Sequence, residues 1–249
     1  YLALIFILLY APILTLIVLS FNNSKTRAKW GGFTLKWYSS LFQNEQIMNA
    51  LYTTLIISLL AAVIATVIGT AAAIAIHGMK QKWRTLYSGL TNIPMMNADI
   101  ITGVSLFLLF VSFGISQGFT TVVLAHITFC TPYVVLSVMP RLKKMNQNVY
   151  EAALDLGATP FQALRKVILP EIFPGMISGF ILAFTLSIDD FAVTIFTIGN
   201  QGLETLSTYI YADARKGGLT PELRPLSTII FVTVLVLLIV INKRAERTK

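Results

Sequence analysis

The chain of 249 residues is 55% apolar and only 12% charged, which excludes an ordinary soluble globular domain and points to a polytopic membrane protein. Its formal net charge of +8 would suggest nucleic acid in a soluble protein. Here most basic residues lie in loops flanking apolar runs, where they set orientation and attract anionic lipid, so a lipid membrane is expected as partner and nucleic acid is not. The one cysteine, Cys130, lies within an apolar run, leaving no intrachain disulfide framework and no cysteine cluster for a metal. Tyr1 already sits inside an apolar run, so further residues are expected upstream, and that run has neither the basic start nor the small-residue cleavage site of a cleavable signal.

A spanning helix needs roughly 20 mostly apolar residues. Six stretches qualify: Leu2 to Phe21, Leu51 to Ile76, Ile100 to Phe113, Thr120 to Met139, Met176 to Ile198 and Leu226 to Ile241. The third is short unless it borrows from Leu90 to Ala98, where Pro94 is expected to bend it. The expected fold class is an all-α membrane protein of six transmembrane helices, one domain over residues 1–249. Six spans return both termini to one side. With that side inside, the inner segments hold twelve of the nineteen Lys and Arg, among them Lys80, Arg84, Lys143, Arg165 and the basic tail Lys243 to Lys249. The outer segments hold the other seven, including Arg27 and Arg224. Basic residues near span ends are retained inside, so both termini are expected in the cytoplasm, with the tail as a membrane anchor.

The first outer loop, Asn22 to Asn49, carries Trp30, Trp37, Tyr38 and Phe42 around Gly31-Gly32. These aromatics suit a short helix in the membrane interface, and equally a surface that receives an extracytoplasmic binding protein. The polar, Gly-rich second outer loop, Gly199 to Pro225, is another candidate for that contact.

Between the fourth and fifth spans lies a polar segment that reads as helix, turn, helix. Asn148 is expected to cap the first helix with Glu151 three residues on, and Val149, Ala152, Ala153 and Leu156 fall on one face. Gly157 fits the left-handed position that ends such a helix. Thr159 is expected to cap the second, with Pro160 at its first position and Gln162 completing a capping box, and Leu169-Pro170 to end it.

Asp99, Asp189 and Asp190 lie within or beside spans. A charged Asp at the bilayer centre costs about 2.5 to 3.5 kcal/mol, so such residues face a cavity or a partner rather than lipid. Adjacent residues on a helix point about 100° apart, so only one of Asp189 and Asp190 is expected to face a given pathway. Two like charges this close favour a cation beside them. The alternatives are a half-helix cap or a bond to a neighbouring subunit for the pair, and a cap on the helix beginning at Ile100 for Asp99. Phe129, Tyr133, Phe184 and Phe191 offer cation-π contacts along such a path, or simply packing. His126 and Cys130 share a helix face at i and i+4 but lack a third ligand nearby, so a packed or hydrogen-bonded pair is expected rather than a metal site.

Glu151-Ala152-Ala153, three residues, Gly157, nine residues, Val167, one residue and Leu169-Pro170 together resemble the EAA signature of ABC importer permeases, with Val167 where that family usually has Ile. The resemblance implies the type I ABC importer permease fold. Its coupling helix lies in a cytoplasmic loop of about residues 140–175, in which Glu151, Ala152, Ala153, Asp155 and Gly157 would meet an ATPase subunit. No Gly-x-x-x-x-Gly-Lys-Ser/Thr phosphate loop occurs, so this chain is not expected to be an enzyme or to carry a cofactor, and ATP and Mg are expected on two partner ATP-binding subunits.

Ser20-Phe21-Asn22, the segment Gly32 to Tyr38, His126 to Cys130 and Phe184 to Asp190 extend the resemblance to the permeases of polyamine (spermidine/putrescine) importers. This implies a bacterial cytoplasmic membrane, a heterodimer with a homologous permease, an extracytoplasmic polyamine-binding protein, and a substrate path along Asp99, Tyr133, Phe184, Asp189 and Asp190. Two other classes stay open: an importer of this kind for another small solute, and an ATP-independent secondary transporter or channel, which would use intramembrane acids but not the elbow. A membrane enzyme would need more than the isolated His126 and Cys130.

Overall fold

The computed structural model describes residues 2–26, 29–200, 202–217, 220–233 and 235. Their regular structure is helical, apart from one isolated antiparallel bridge between Asn22 and Phe33. A lipid-facing run must satisfy every backbone polar group internally, and the helix does so within one segment. The helices are α1 (Leu2–Ser20), α2 (Lys36–Gln43), α3 (Glu45–Gly78), α4 (Gln81–Met96), α5 (Asp99–Ser112), α6 (Phe119–Lys144), α7 (Gln147–Asp155), α8 (Pro160–Ala163), α9 (Leu169–Asp189), α10 (Ala192–Thr197), α11 (Leu206–Arg215) and α12 (Leu223–Thr233). A π-helical turn, Leu164–Ile168, joins α8 to α9, so Pro160–Asp189 is one run of 30 residues.

Among the described residues, three helices are long and apolar enough to cross a membrane: α3, α6 and the Pro160–Asp189 run. The α4–α5 pair makes a fourth if counted as one span bent by 102°. Ile5–Ser20 within α1 and α12 are apolar but shorter. The sixth expected stretch runs past the described residues, and the tail Lys243 to Lys249 and Arg27 lie outside them.

Three expectations about breaks are corrected. Pro94 stays inside α4, and the chain turns instead at Asn97 and Ala98, both extended with ψ of 148° and 139°. A proline costs its helix one hydrogen bond, whereas two consecutive extended residues end it. The stretch Met176 to Ile198 is not one helix, because α9 stops at Asp189 and α10 begins at Ala192. Leu169-Pro170 does not end the second elbow helix: the π turn just before it carries the chain through, absorbing the proline ring and its missing N–H in a widened turn.

The described parts of residues 1–50 and 209–249 form one compact unit, and residues 51–208 form another. In the first, fully buried Asn22 organises the loop between α1 and α2. Its Oδ1 accepts from the Gly31 and Ser24 N–H groups at 2.7 and 3.1 Å, its Nδ2 donates to the Lys29 carbonyl at 2.9 Å, and its own carbonyl accepts the Trp37 indole N–H at 2.8 Å. Trp37 and Leu41 on α2 are buried, while Trp30, Phe33 and Phe42 are exposed, so the loop aromatics divide between core and surface.

The second unit is built on α6 against α9, with α3 alongside. Ala62, Ala65, Cys130, Val134, Val138, Ile172 and Ala183 share its core. Small residues let the backbones close: a Cβ on Gly69 would lie 2.7 Å from the Val134 Cβ, and one on Gly179 would lie 3.1 Å from the Val134 Cγ1. Close approach through small residues is how helices associate where lipid offers no hydrophobic drive.

Candidate functional site

The break between α9 and α10 is made by Asp190. Its backbone turns extended (φ −65°, ψ 129°), and its carboxylate accepts from the Val193 N–H at 3.2 Å, the Thr194 N–H at 2.8 Å and the Thr194 hydroxyl at 2.7 Å. It thus satisfies the free donors at the start of α10 as a capping aspartate does. The Ser207 hydroxyl donates to its carbonyl at 2.7 Å, and the far end of α10 is held where the Thr121 hydroxyl meets the Thr197 carbonyl at 2.8 Å. Its side chain is only 7% exposed, and these contacts are those of the half-helix cap among the sequence alternatives.

Its neighbour behaves differently. Asp189 is exposed and opens onto a cleft of about 370 Å³ lined by Asp99, Phe129, Tyr133, Thr185, Asp189, Asp190 and Phe191, with Leu186 and Ala192 completing the wall. Asp99 opens α5 and is exposed, the cap position being Ala98 rather than Asp99, so its carboxylate also serves the cleft. Among the described residues, the wall thus carries three carboxylates, three aromatic rings and no basic side chain. Such a lining attracts a cation and offers it ring faces. Phe184 is not part of it: that ring stacks on Phe180 at 6.1 Å and packs against the α6–α9 core. Of the five residues the sequence suggests for a substrate path, Asp99, Tyr133, Asp189 and Asp190 line this one cleft and Phe184 does not.

Behind the cleft lies a buried polar chain that spacing along the sequence did not reveal. His126 on α6 is 1% exposed, its Nδ1 2.7 Å from the Ser187 hydroxyl of α9 and its Nε2 2.9 Å from the Thr194 hydroxyl of α10. Ser187 and Thr194 are 61 and 68 residues away, out of reach of any local pattern. Cys130 points its thiol at the Ala183 carbonyl, 3.4 Å away, so the i, i+4 pair serves contacts to α9.

The elbow is the second candidate site. Asn146, not Asn148, caps α7, its side chain accepting from the Asn148 N–H at 3.1 Å, so the helix starts two residues earlier than expected. At the other end Gly157 takes φ +87°, with Gly157 N–H to Leu154 carbonyl at 2.9 Å and Ala158 N–H to Ala153 carbonyl at 3.0 Å. That is the Schellman ending expected of a glycine there. Thr159 and Gln162 form the reciprocal capping box, with bonds of 3.0 and 3.3 Å. Glu151, Ala152, Asp155 and Gly157 are exposed and Ala153 is half-buried. Val149, Leu156 and Phe161 expose 52%, 90% and 70% of their surface, an apolar patch on a polar elbow. Glu151 also borders a cleft of about 400 Å³ with His77, Arg84 and Tyr150, where the Arg84 guanidinium donates to the His77 carbonyl.

Residues 65–243 match the family model described as "Binding-protein-dependent transport system inner membrane component". "Spermidine/putrescine transport system permease protein PotC" of Escherichia coli (strain K12) is 42% identical over 94% of this chain and 88% of its own length. "Putrescine transport system permease protein PotI" of the same strain is 38% identical over 90% of this chain and 82% of its own length. Among solved structures, a bacterial alginate ABC transporter in complex with alginate pentasaccharide-bound periplasmic protein superposes with a TM-score of 0.72 at 21% identity, over 96% of this chain and 88% of that one. A chain of the MetNI methionine ABC transporter superposes at 0.63, also at 21% identity, over 81% and 95%. At these identities the structures speak for the fold, and the sequence match speaks for the family: this chain belongs to the binding-protein-dependent transport system inner membrane components.

Proposed function

We propose that this chain is the transmembrane permease subunit of an ATP-driven importer of polyamines, and that its acidic cleft is part of the translocation path. The observation that carries the reading is the cleft wall: Asp99 and Asp189 exposed beside Phe129, Tyr133 and Phe191, with no basic residue in the lining among the described residues. A flexible polycation needs that combination, weakly enough bound to leave again. The 42% identity to a protein named for spermidine and putrescine transport supports the same substrate class.

In this reading the chain crosses the bacterial inner membrane six times as a single permease domain, with both termini in the cytoplasm. It pairs with a homologous permease that closes the open side of the cleft, and an extracytoplasmic binding protein delivers the substrate. Two ATP-binding subunits supply the ATP and Mg chemistry. The elbow receives one of them: Ala152 and Gly157 permit close approach, Glu151 and Asp155 offer polar contacts, and the exposed Val149, Leu156 and Phe161 provide apolar area. The capped, Schellman-ended geometry makes it stiff enough to transmit a push into the Pro160–Asp189 run, which ends at the cleft.

The test is ATP-dependent uptake of spermidine and putrescine by vesicles containing this chain with its co-encoded subunits. Uptake that needs both ATP and the binding protein supports the reading. Uptake without ATP would make the chain a secondary carrier or channel, and ATP-driven uptake of another solute alone would discard the substrate class.

A further inference from the structure

For an ionised Asp190 and a neutral imidazole, the direction of every bond in the buried chain behind the cleft follows from one end, where Asp190 Oδ2 also lies 3.5 Å from His126 Nε2. The Asp190 carboxylate can only accept, so the Thr194 hydroxyl spends its proton on Oδ2 at 2.7 Å. Thr194 must then accept from His126, which places the imidazole proton on Nε2 and leaves Nδ1 to accept the Ser187 hydroxyl proton at 2.7 Å. The result is a single-direction relay, Ser187 to His126 to Thr194 to Asp190, in which a neutral imidazole uses both nitrogens. One end grips α9 before the break, and the other grips α10 after it. The same ring meets Phe129 edge-on at 5.2 Å, and Phe129 is part of the cleft wall.

We infer that His126 is a positioning residue of the substrate path: by clamping α9 to α10 it holds Asp190 inward as the cap and leaves Asp189 as the carboxylate presented to the cleft. The inference rests on the reading of Asp189 as a substrate-facing acid. Asp189 and Phe191 flank the capping residue, so the angle between the two helices sets where both point. Fully satisfied buried polar chains impose one such arrangement, which apolar packing of equal volume does not.

Two amides separate this role from mere packing. Gln at position 126 can place a donor where Nε2 sits and keep the bond to Thr194, whereas Asn reaches only as far as Nδ1 and keeps the bond to Ser187. The experiment measures KM and Vmax for spermidine uptake, the amount of assembled complex, and ATP hydrolysis in the full complex carrying His126→Gln, His126→Asn, His126→Leu or Asp189→Asn. The expected result is a KM within about threefold of wild type for His126→Gln, which keeps the bond to Thr194 and so the end that holds Asp190 inward; about tenfold higher for His126→Asn, the size of that one lost buried hydrogen bond; and at least as high for His126→Leu, which loses both. Assembly and ATP hydrolysis stay at wild-type level. Equal KM in the three His126 variants, or a loss confined to the amount of assembled complex, overturns the positioning role. An unchanged KM in Asp189→Asn overturns the reading of the cleft beneath it.

Discussion

Replacing Asp190 by alanine should destabilise the protein, although an aspartate beside a substrate path would conventionally be expected to affect transport alone. The substitution removes three acceptor contacts, to Val193 N–H, Thr194 N–H and the Thr194 hydroxyl. Loss of a capping side chain costs about 0.5–2 kcal/mol. Leaving a buried hydroxyl donor unmatched adds about 1–3 kcal/mol. Together these give roughly 1.5–5 kcal/mol for Asp190→Ala, and about half of that for Asp190→Asn, which keeps one oxygen. Asp189→Ala, at an exposed position with no capping contact, should stay within about 0.5 kcal/mol of wild type. The assay is the fraction of purified complex that remains monodisperse after a graded heat challenge, run alongside spermidine uptake. An Asp190→Ala complex as heat-resistant as wild type, with only its KM raised, would show that this carboxylate serves the substrate and that the division of labour between the two acids is wrong.

Other substitutions test other parts of the structure. Gly157→Val forces a β-branched residue into φ +87° where no neighbouring atom obstructs it, so a pure backbone cost of about 1–2 kcal/mol should loosen the elbow. ATP hydrolysis should persist while uptake falls, and full uptake would refute the coupling role. Gly69→Ala puts a Cβ 2.7 Å from that of Val134, and overpacking of about 1–3 kcal/mol should appear as lower heat resistance of the complex. Trp37→Phe keeps the ring in its buried site but gives up the bond to the Asn22 carbonyl, at a cost of about 1 kcal/mol read in the same heat challenge.

The features legible in the sequence were those written within a few residues. Gly157 ends its helix, Thr159 and Gln162 cap the next, and the apolar runs beginning near Leu51 and Thr120 became α3 and α6. Where two local signals compete, the sequence does not decide: Asn146 and Asn148 are both competent caps, and the earlier one wins, lengthening the helix by two residues. Pro170 reads as a terminator only if the turn before it is α-helical, and a π turn is invisible to propensity. The Asp190 cap has a local signature, an aspartate three and four residues before Val193 and Thr194, and the half-helix cap is among the sequence alternatives; which of the two acids caps is set by the fold. The convergence of Asp99, Tyr133 and Asp189 on one cleft, and the His126 relay, depend on contacts across many tens of residues, for which residue type alone is a pointer without an address.

The decisive measurement is spermidine uptake by the assembled complex in vesicles carrying Asp99→Asn together with Asp189→Asn, at matched complex amounts and with ATP hydrolysis followed in the same preparation. An acidic cleft on the path of a polycation predicts a KM raised about tenfold or more, or no measurable uptake, with assembly and ATP hydrolysis intact. Wild-type uptake kinetics in the double variant would contradict it and move the substrate path elsewhere in the membrane domain.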